Sequence, residues 1–428
     1  MKIYFYEKLT DAEKENLLKR PSIDSEKIFT IVRPILLDIK QDGLKAALKY
    51  AKQFDGLASD NIKVTPQEFE EAERNLDNKI KSALKTAFDN ITKFHSKQMP
   101  NSFEVETMEG VKCSREYRAI ENVGLYVPGG SAVLPSTMLM LGIPAKLAGC
   151  KRVVVCSPAK DNKINYPLLY AAKLCGINEF YKIGGSQAIG LMAYGDKDIP
   201  KVYKIFGPGN QFVTAAKIIV SIDAEGSTID MPAGPSEVLV IADEITNPKF
   251  IASDLLSQAE HGPDSQVVLV STSEKLINRT IEEINIQLSD LPRKEIARKA
   301  LENSFALKVN SIIEAINFSN KYAPEHLILN IEDPDNYKSK VINAGSVFLG
   351  EYSPESAGDY ASGTNHSLPT YGYAKTYGGV SIESFMKSMT FQKLSKAGLE
   401  NISATVETLA DVEGLAAHKK AIKIRLAK

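Results

Sequence analysis

The chain has 428 residues, more than one hydrophobic core ordinarily accommodates, so two or more domains are expected. Its 43% hydrophobic and 25% charged residues are the balance of a globular protein, which excludes a disordered or fibrous chain. A formal net charge of −1 provides no field that would attract a polyanion, so we expect a small-molecule partner and no nucleic acid.

The first part of the chain is predicted to be helical. Residues 1–8 become charged too early for a signal peptide, and no later apolar run reaches membrane-spanning length, so a cytoplasmic protein without membrane contact is expected. Over residues 20–97, apolar residues recur every three or four positions among many charges, which indicates helices. His95 lies in this region and is predicted to be exposed. The four cysteines form no Cys-x-x-Cys pair, so any metal site is expected to use other ligands.

The rest of the chain alternates short apolar runs with helical patterns. The runs are residues 152–156, 181–183, 202–206, 237–242, 266–271, 326–330 and 346–349. This alternation is typical of parallel sheets and predicts an α/β fold of two Rossmann-like, incompletely doubly wound lobes. Two prolines and a glycine within residues 231–236 indicate the boundary between the lobes. Beyond Ser381 we expect a tail with a helix over about 406–426.

One candidate for metal binding is the helix end that carries Gln258 and His261. A helix is predicted over residues 249–260, and Gly262-Pro263 should end it. Residues three apart share a helix face, so the amide of Gln258 and the imidazole of His261 would project together beyond the helix end. The spacing fits a metal site and an ordinary capped helix end equally well.

A second candidate is the pair Glu325 and His326, which precedes an apolar run. Neighbours on a strand point to opposite faces, so both side chains can serve one site only if they lie on the turn before the strand, as Pro324 allows. A neutral imidazole with an ordinary pKa near about 6.5 can take a hydroxyl proton, and a carboxylate can activate water. The alternative is a solvated pair at the start of a strand.

Two further segments carry candidate residues. The turn-rich segment 353–366 is predicted to be a long functional loop, in which Asp359 is either a hard oxygen ligand or an Asx-type turn former. Near the C terminus, Glu413 and His418 are five positions apart with Gly414 between them, a poor match to one helix face. Taken alone, His418 is expected to be exposed.

Glycine-rich turns at residues 184–187 and 207–212 are candidates for nucleotide binding. Each follows a predicted strand and opens a helix, so backbone N–H groups and a helix N terminus could hold a phosphate. Phe212 stands where the usual dinucleotide fingerprint has its third glycine, and tight strand–helix turns favour glycine in any case. Each turn alone is therefore a weak signal.

Together these segments resemble the histidinol dehydrogenase family, in order from about Val123 to the C terminus. The strings that carry the resemblance are residues 123–130 (VGLYVPGG), 184–188 (GGSQA), 207–210 (GPGN), 232–237 (PAGPSE), 258–266 (QAEHGPDSQ), 323–326 (APEH) and 413–418 (EGLAAH). One departure is Thr364, where many family members have proline; His366 is retained, so only the rigidity of that loop is in question.

The resemblance implies an NAD-linked enzyme with one zinc ion per subunit, which oxidises L-histidinol through bound L-histidinal to L-histidine. By this resemblance the zinc ligands are Gln258, His261, Asp359 and His418. The residues that contact the substrate would be these four together with Ser236, Glu325, His326, His366 and Glu413.

The resemblance also implies the roles of the catalytic pair and the cofactor contacts. His326 would take the hydroxyl proton as the first hydride leaves for NAD, and Glu325, with His326, would then activate water. The NAD contacts would be Tyr126, Gln187 and Asn210.

Domain limits follow from the chain pattern and the resemblance together. Residues 1–21 are expected to form an N-terminal helical segment, and residues 126–235 the NAD domain. A discontinuous α/β domain that holds zinc and substrate is expected from residues 22–125 and 236–381. The resemblance further implies a homodimer, in which the tail, residues 382–428, completes the neighbour's site with Glu413 and His418.

Three other functions remain open on the residues alone. A sister dehydrogenase could oxidise another alcohol, although the set Glu325, His326, His366 and Glu413 favours histidinol. A zinc hydrolase could use Glu325 as a base on metal-bound water, in which case the protein would not need NAD. The third is a non-catalytic, metal-dependent binding protein.

Overall fold

The structure is a computed structural model that describes residues 1–20, 25–129, 134–197 and 199–427. Its strands are β1 (Lys2–Phe5), β2 (Phe103–Met108), β3 (Val111–Ala119), β4 (Asn122–Tyr126), β5 (Arg152–Ser157), β6 (Glu179–Lys182), β7 (Lys204–Phe206), β8 (Thr228–Ile229), β9 (Glu237–Ala242), β10 (Gln266–Ser271), β11 (Phe305–Lys308), β12 (His326–Asn330), β13 (Ser346–Leu349) and β14 (Met386–Leu394).

The α-helices are α1 (Asp11–Leu17), α2 (Ser25–Asp55), α3 (Pro66–Asn75), α4 (Asn78–His95), α5 (Pro135–Ala148), α6 (Tyr166–Leu174), α7 (Gly185–Tyr194), α8 (Gln211–Ile222), α9 (Pro248–Ala259), α10 (Glu274–Leu288), α11 (Lys294–Glu302), α12 (Ile312–Tyr322), α13 (Glu355–Tyr360), α14 (Lys396–Val412) and α15 (Ala416–Leu426). The expected boundary between residues 21 and 22, and residue 130 of the first matched string, lie outside the described residues.

Two parallel sheets form the frame of the molecule, and they share one strand order. The six-stranded sheet has the order β1-β11-β10-β9-β12-β13, and the five-stranded sheet has the order β6-β5-β4-β7-β8. Every pairing in both sheets is parallel. When the strands are numbered in chain order from β9 in one sheet and from β4 in the other, both sheets have the spatial order 3-2-1-4-5. The six-stranded sheet has β1 as an additional edge strand. The shared spatial order is the doubly wound order without its sixth strand, so the predicted fold class is confirmed.

Burial on both faces explains why the central strands were readable as apolar runs. Every residue of β9 and β10 is buried. One core cluster lies on each side of this sheet, because alternate residues such as Val238 and Leu239 belong to different clusters. Parallel strands covered by helices on both faces are apolar throughout, with no alternation.

The N-terminal helices pack on the five-stranded lobe. Helix α2 contacts α7 and α8, α3 contacts α6, and α4 contacts α5. The apolar face of α2, including Val32, Leu36 and Ile39, shares a core with buried residues of α7 and α8. The structure therefore differs from the expected grouping of residues 22–125 with 236–381. Within the expected helical segment 1–21, β1 pairs with β11 and extends the other sheet.

A third, antiparallel sheet of the order β14-β3-β2 leads into the C-terminal helices. Phe103, Val105 and Phe391 of this sheet are exposed, and so are Val412 at the end of α14 and Leu415 beyond it. The tail expected beyond Ser381 thus begins with a strand that pairs along the whole length of β3. None of the described helices combines the length and the apolar character that a membrane crossing requires.

Candidate active site between the two sheets

A cavity of about 420 Å³ lies where the two lobes face each other. Ser236 and Glu325 reach it directly before β9 and β12, so the six-stranded sheet presents its amino ends. Pro128 and Gly209 reach it after β4 and β7, so the five-stranded sheet presents its carboxyl ends. The strand order of the five-stranded sheet reverses between β4 and β7, which is where open α/β sheets bind ligands.

Seven of the twelve site residues expected from the sequence line the cavity, and an eighth lies directly behind them. Those that line it are Asn210, Ser236, His261, Glu325, His326, Asp359 and His366. Gln258 lies directly behind them, with its Nε2 atom 3.2 Å from Nδ1 of His326. Tyr126 and Gln187 lie behind the turns of the other lobe, and Glu413 and His418 are exposed in the tail.

The surroundings of the buried His326 favour one tautomer. Three acceptors face its Nδ1 atom, the backbone oxygen of Glu237 at 3.1 Å and carboxylate oxygens of Glu325 and Glu355 at 3.6 Å each. One donor opposes them, Nε2 of Gln258 at 3.2 Å, so the balance favours a proton on Nδ1. Its Nε2 atom is buried without a hydrogen-bond partner among the described residues. Burial lowers the pKa of His326 to about 3, so the ring is neutral near pH 7. The unpartnered Nε2 can therefore accept a proton.

Glu325 lies beside His326 because helix α12 ends in a sharp turn. Ala323 adopts a left-handed conformation with φ of 53°, and Pro324 prevents continuation of the helix. The Glu325 side chain accepts the Glu237 N–H at 2.8 Å and lies 3.6 Å from Nδ1 of His326. Burial raises the pKa of Glu325 well above its ordinary range. The two neighbours therefore share one site, as a turn before the strand would allow.

Helix α13 supplies two carboxylates to His326 from positions four apart. Glu355 lies 3.6 Å from Nδ1 of His326, and Asp359 lies 3.7 Å from Nε2. Burial raises the pKa of both groups, that of Asp359 to about 7. The expected long loop at 353–366 therefore contains a helix, and Glu355 is a site residue that sequence reasoning missed. Its signal was the four-residue spacing from Asp359, obscured by nearby prolines and glycines.

The donors around His326 fit a divalent cation. His326, Glu355 and Asp359 each offer a ligand atom within 4.8 Å of the others. Oε1 of the fully buried Gln258 has no hydrogen-bond partner among the described residues. A buried acceptor beside carboxylates of raised pKa is an arrangement that a cation would satisfy, and a nitrogen and oxygen donor set is one that zinc accepts. His418 is exposed in α15 and does not reach this cluster.

On the other lobe, the expected cofactor residues organise two helix starts. The Tyr126 hydroxyl accepts the Gly185 N–H at 3.2 Å. Gln187 is buried and donates to Asp55 at 2.7 Å. The Asn210 side chain caps α8 by accepting the backbone N–H groups of its second and third residues. The structure brings Asn210 into the cavity and leaves Tyr126 and Gln187 behind it.

The turn after β7 is fixed by a buried ion pair that the sequence did not reveal. Lys217 lies 2.5 Å from Asp230 and donates to the backbone oxygen of Gly207 at 2.8 Å. Asp230 in turn accepts the Gly207 N–H at 2.8 Å. Gly207 has φ of +118°, and a Cβ atom there would lie 2.0 Å from the backbone oxygen of Tyr126. The only available signal was a lysine inside the apolar pattern of α8.

His95 supports the loop that carries His366, and the expectation that it is exposed was wrong. The ring is completely buried, with Nδ1 2.9 Å from the Ile91 oxygen and Nε2 3.2 Å from Nδ2 of Asn365. Asn365 also donates to the Met140 oxygen at 2.7 Å, which ties the loop to α5. The next residue, His366, lies 3.2 Å from the Thr137 hydroxyl and 3.9 Å from Asp359.

Comparisons with known proteins agree over the whole chain. The family model described as histidinol dehydrogenase matches residues 18–426. A histidinol dehydrogenase of Photobacterium profundum is 51% identical over 429 residues, which cover 100% of this chain and 96% of that protein. A chloroplastic histidinol dehydrogenase of Arabidopsis thaliana is 52% identical, over 100% and 91%. The crystal structure of histidinol dehydrogenase from Elizabethkingia anophelis superposes with a TM-score of 0.95 at 52% identity, over 100% and 98%.

Proposed function

The chain belongs to the histidinol dehydrogenase family of histidine-biosynthesis oxidoreductases, and on this premise we propose that it oxidises L-histidinol to L-histidine with two molecules of NAD. The observation that carries the proposal is the catalytic pair itself. His326 presents an unpartnered Nε2 to the cavity, and Glu325 lies 3.6 Å from the other ring nitrogen. His326 can take a proton from an alcohol, and Glu325 can take one from water.

In the first oxidation, His326 Nε2 takes the proton of the substrate hydroxyl. The C–H bond of the same carbon would break as its electron pair leaves as hydride; NAD would be the hydride acceptor, and the aldehyde would result. The carboxylates of Glu325, Glu355 and Asp359, each within 3.7 Å of the ring, stabilise the imidazolium that forms.

In the second oxidation, Glu325 takes a proton from water as the water oxygen bonds to the aldehyde carbon. The base in this step is the ionised Glu325 carboxylate, one oxygen of which accepts the Glu237 N–H at 2.8 Å. After His326 has released its first proton, it deprotonates the hydrated aldehyde, and a second hydride leaves for NAD. The sum is histidinol, water and two NAD giving histidine, two NADH and three protons.

We propose that one zinc ion per subunit anchors the substrate. Gln258, His261 and Asp359, with the partner subunit's His418, would hold it. The ion would supply a positive centre that orients the substrate beside Glu325 and His326. The support on this chain is the orphaned Oε1 of Gln258 and the uncompensated carboxylates nearby. The substrate contacts would be completed by Ser236, His366 and Glu413.

The five-stranded lobe is the proposed NAD domain. Where this lobe borders the cavity, it has the turn at Gly207, which Lys217 and Asp230 hold, and the N terminus of α8, which Asn210 caps. A helix start and backbone N–H groups at this edge suit a pyrophosphate. Tyr126 and Gln187 shape the neighbouring turn at Gly185. All four cysteines are free thiols, which suits a reducing compartment, so we propose the cytoplasm as the location.

We also propose a homodimer in which the tail of each chain completes the site of the other. The support is that Glu413 and His418 are exposed and do not line the cavity, and that they lie at or beside helices with exposed apolar residues such as Val412, which is 80% exposed. Such an apolar surface indicates a binding partner.

The shared site can be tested by complementation. Chains carrying His326→Ala and chains carrying His418→Ala are inactive alone, but randomly mixed dimers should show about one quarter of wild-type activity, because half are mixed and each has one intact site. No recovery under conditions that exchange subunits would contradict the shared site.

The assay that tests the proposed function offers purified protein L-histidinol with NAD and follows NADH and L-histidine. Turnover of another alcohol but not of histidinol would indicate a sister dehydrogenase. Calorimetry that detects no NAD binding would favour a hydrolase in which Glu325 activates water. His326→Gln is the matched inactive control, because it keeps volume and polarity but removes the base.

A further inference from the structure

We infer that Arg20 is a positioning residue for the catalytic pair, acting through Glu237. The inference rests on the proposed roles of Glu325 and His326. Arg20 belongs to the N-terminal segment and touches neither the cavity nor the catalytic side chains. Arg20 acts on them indirectly, through Glu237 and through the C-terminal end of α12.

The guanidinium of Arg20 binds the carboxylate of Glu237 through two parallel hydrogen bonds. Nε and Nη2 each donate to one carboxylate oxygen of Glu237 at 2.9 Å. The side chains are 6% and 1% exposed, so the pair is shielded from solvent and from salt. The carboxylate also accepts the backbone N–H of Tyr371 at 2.8 Å. Glu237 is therefore held in one position at the start of β9.

Glu237 in turn holds both catalytic side chains with its own backbone. Its N–H donates to Glu325 at 2.8 Å, and its carbonyl oxygen lies 3.1 Å from Nδ1 of His326. The first contact fixes the direction of the carboxylate. The second favours the imidazole proton on Nδ1, which leaves Nε2 as the base. A shift of this single peptide would disturb the orientation of one catalytic group and the tautomer of the other.

Arg20 reaches the same pair by a second route, through the end of α12. Nη2 also donates to the backbone oxygen of Tyr322 at 2.8 Å and approaches that of Ala323 at 3.3 Å. The guanidinium carbon lies 3.5 Å from the centre of the Tyr322 ring. These contacts satisfy carbonyls at the helix end from which Pro324 leads directly into Glu325. Arg20 thus fixes Glu237, which holds Glu325 and His326, and it also fixes the turn after α12 that leads into them.

Lysine cannot reproduce this arrangement. An ammonium is a point charge without the planar fork, so it cannot bind both carboxylate oxygens and the helix end while stacking on Tyr322. Arg20→Lys keeps the buried Glu237 charge compensated, so the variant retains a counter-ion and should fold. The matched control is Arg152→Lys. Arg152 also binds a carboxylate, that of Glu179, through two nitrogens and donates to a backbone oxygen, but at the start of β5, away from the cavity.

The experiment compares steady-state kinetics of the two variants with ¹⁵N NMR of labelled histidine. For Arg20→Lys we expect kcat to fall on the order of 10²-fold, the effect of misplacing catalytic groups by about 1 Å. KM for L-histidinol should change much less than kcat, because the other proposed substrate contacts His261, Asp359 and His366 have no described hydrogen bond or ion pair with Arg20 or Glu237. The His326 signal should change from a single Nδ1–H tautomer to a mixture. Arg152→Lys should keep wild-type kcat and the wild-type His326 signal.

A folded Arg20→Lys variant with wild-type kcat, or with reduced kcat but an unchanged His326 tautomer, would overturn the inference. So would an equal loss of kcat in Arg152→Lys. If Arg20→Lys does not fold, the double variant Arg20→Met with Glu237→Gln removes the buried charge pair, and it must show the same loss and the same mixed tautomer. A wild-type protein that fails to oxidise histidinol would refute the proposed function instead, and the tautomer alone would then decide the role of Arg20.

Discussion

The buried pair Lys217 and Asp230 allows a sharp prediction about the five-stranded lobe, the proposed NAD domain. Both side chains are 4% exposed, and together they bind the N–H and the carbonyl oxygen of Gly207. Lys217→Met keeps a long apolar stem but leaves the Asp230 carboxylate buried without its ammonium. Removing one partner of a buried pair costs about 3–5 kcal/mol, so the free energy of unfolding should fall by that amount.

Urea denaturation measures this loss, and the double variant identifies its cause. Adding Asp230→Asn to Lys217→Met removes the uncompensated charge, so most of the loss should be recovered. The Gly207 carbonyl stays unpaired, which leaves a residual cost of about 1–3 kcal/mol. KM for NAD should rise in both variants, because the turn that Gly207 opens borders the cavity. A single variant as stable as wild type, or a double variant no more stable than the single one, would refute this reasoning.

Three further predictions concern the site and its support. Glu325→Gln keeps the contact with the Glu237 N–H but loses the base for water, so the second oxidation should slow about 10²–10⁴-fold, with aldehyde detected by trapping; unchanged formation of L-histidine would contradict this role. Gln258→Leu should lower the zinc retained after dialysis, measured by elemental analysis, and full zinc content would count against Gln258 as a ligand. Burial lowers the pKa of His95, so the folded state binds fewer protons than the unfolded state below pH 6.5, and stability present above 6.5 is lost as pH falls. His95→Gln should reduce this slope by up to about 1.4 kcal/mol per pH unit, and identical stability curves for variant and wild type would argue against it.

The central strands could be predicted because burial on both faces favours a continuous run of apolar residues. β9, β10 and β12 match the predicted runs in both limits, since strands covered on both faces must be apolar throughout. The edge strand β13 also matches its run, although it is only partly buried. The antiparallel sheet was not predicted. Its strands β2 and β14 are largely exposed and mixed in character. The residues of β14 pair with residues of β3 that precede them in the chain by 267 to 283 positions. No local pattern records such a pairing.

Which lobe a helix joins was also beyond local patterns. The apolar stripe of α2 shows that it must be covered, but not whether α7 or a helix of the other lobe covers it. For the site, Pro324 correctly indicated a turn that lets Glu325 and His326 meet. Glu355 was missed because its helix is six residues long and begins after a proline. No sequence pattern indicated the contribution of Arg20. Its partners Glu237 and Tyr322 follow it in the chain by 217 and 302 positions.

The most direct test of the proposed function is the yield of NADH from limiting L-histidinol in excess NAD. A zinc-dependent histidinol dehydrogenase should give two NADH and one L-histidine per histidinol, lose turnover after zinc is removed by a chelator, and recover it when zinc is returned. One NADH per histidinol with release of the aldehyde, or no turnover of the zinc-loaded protein, would contradict it.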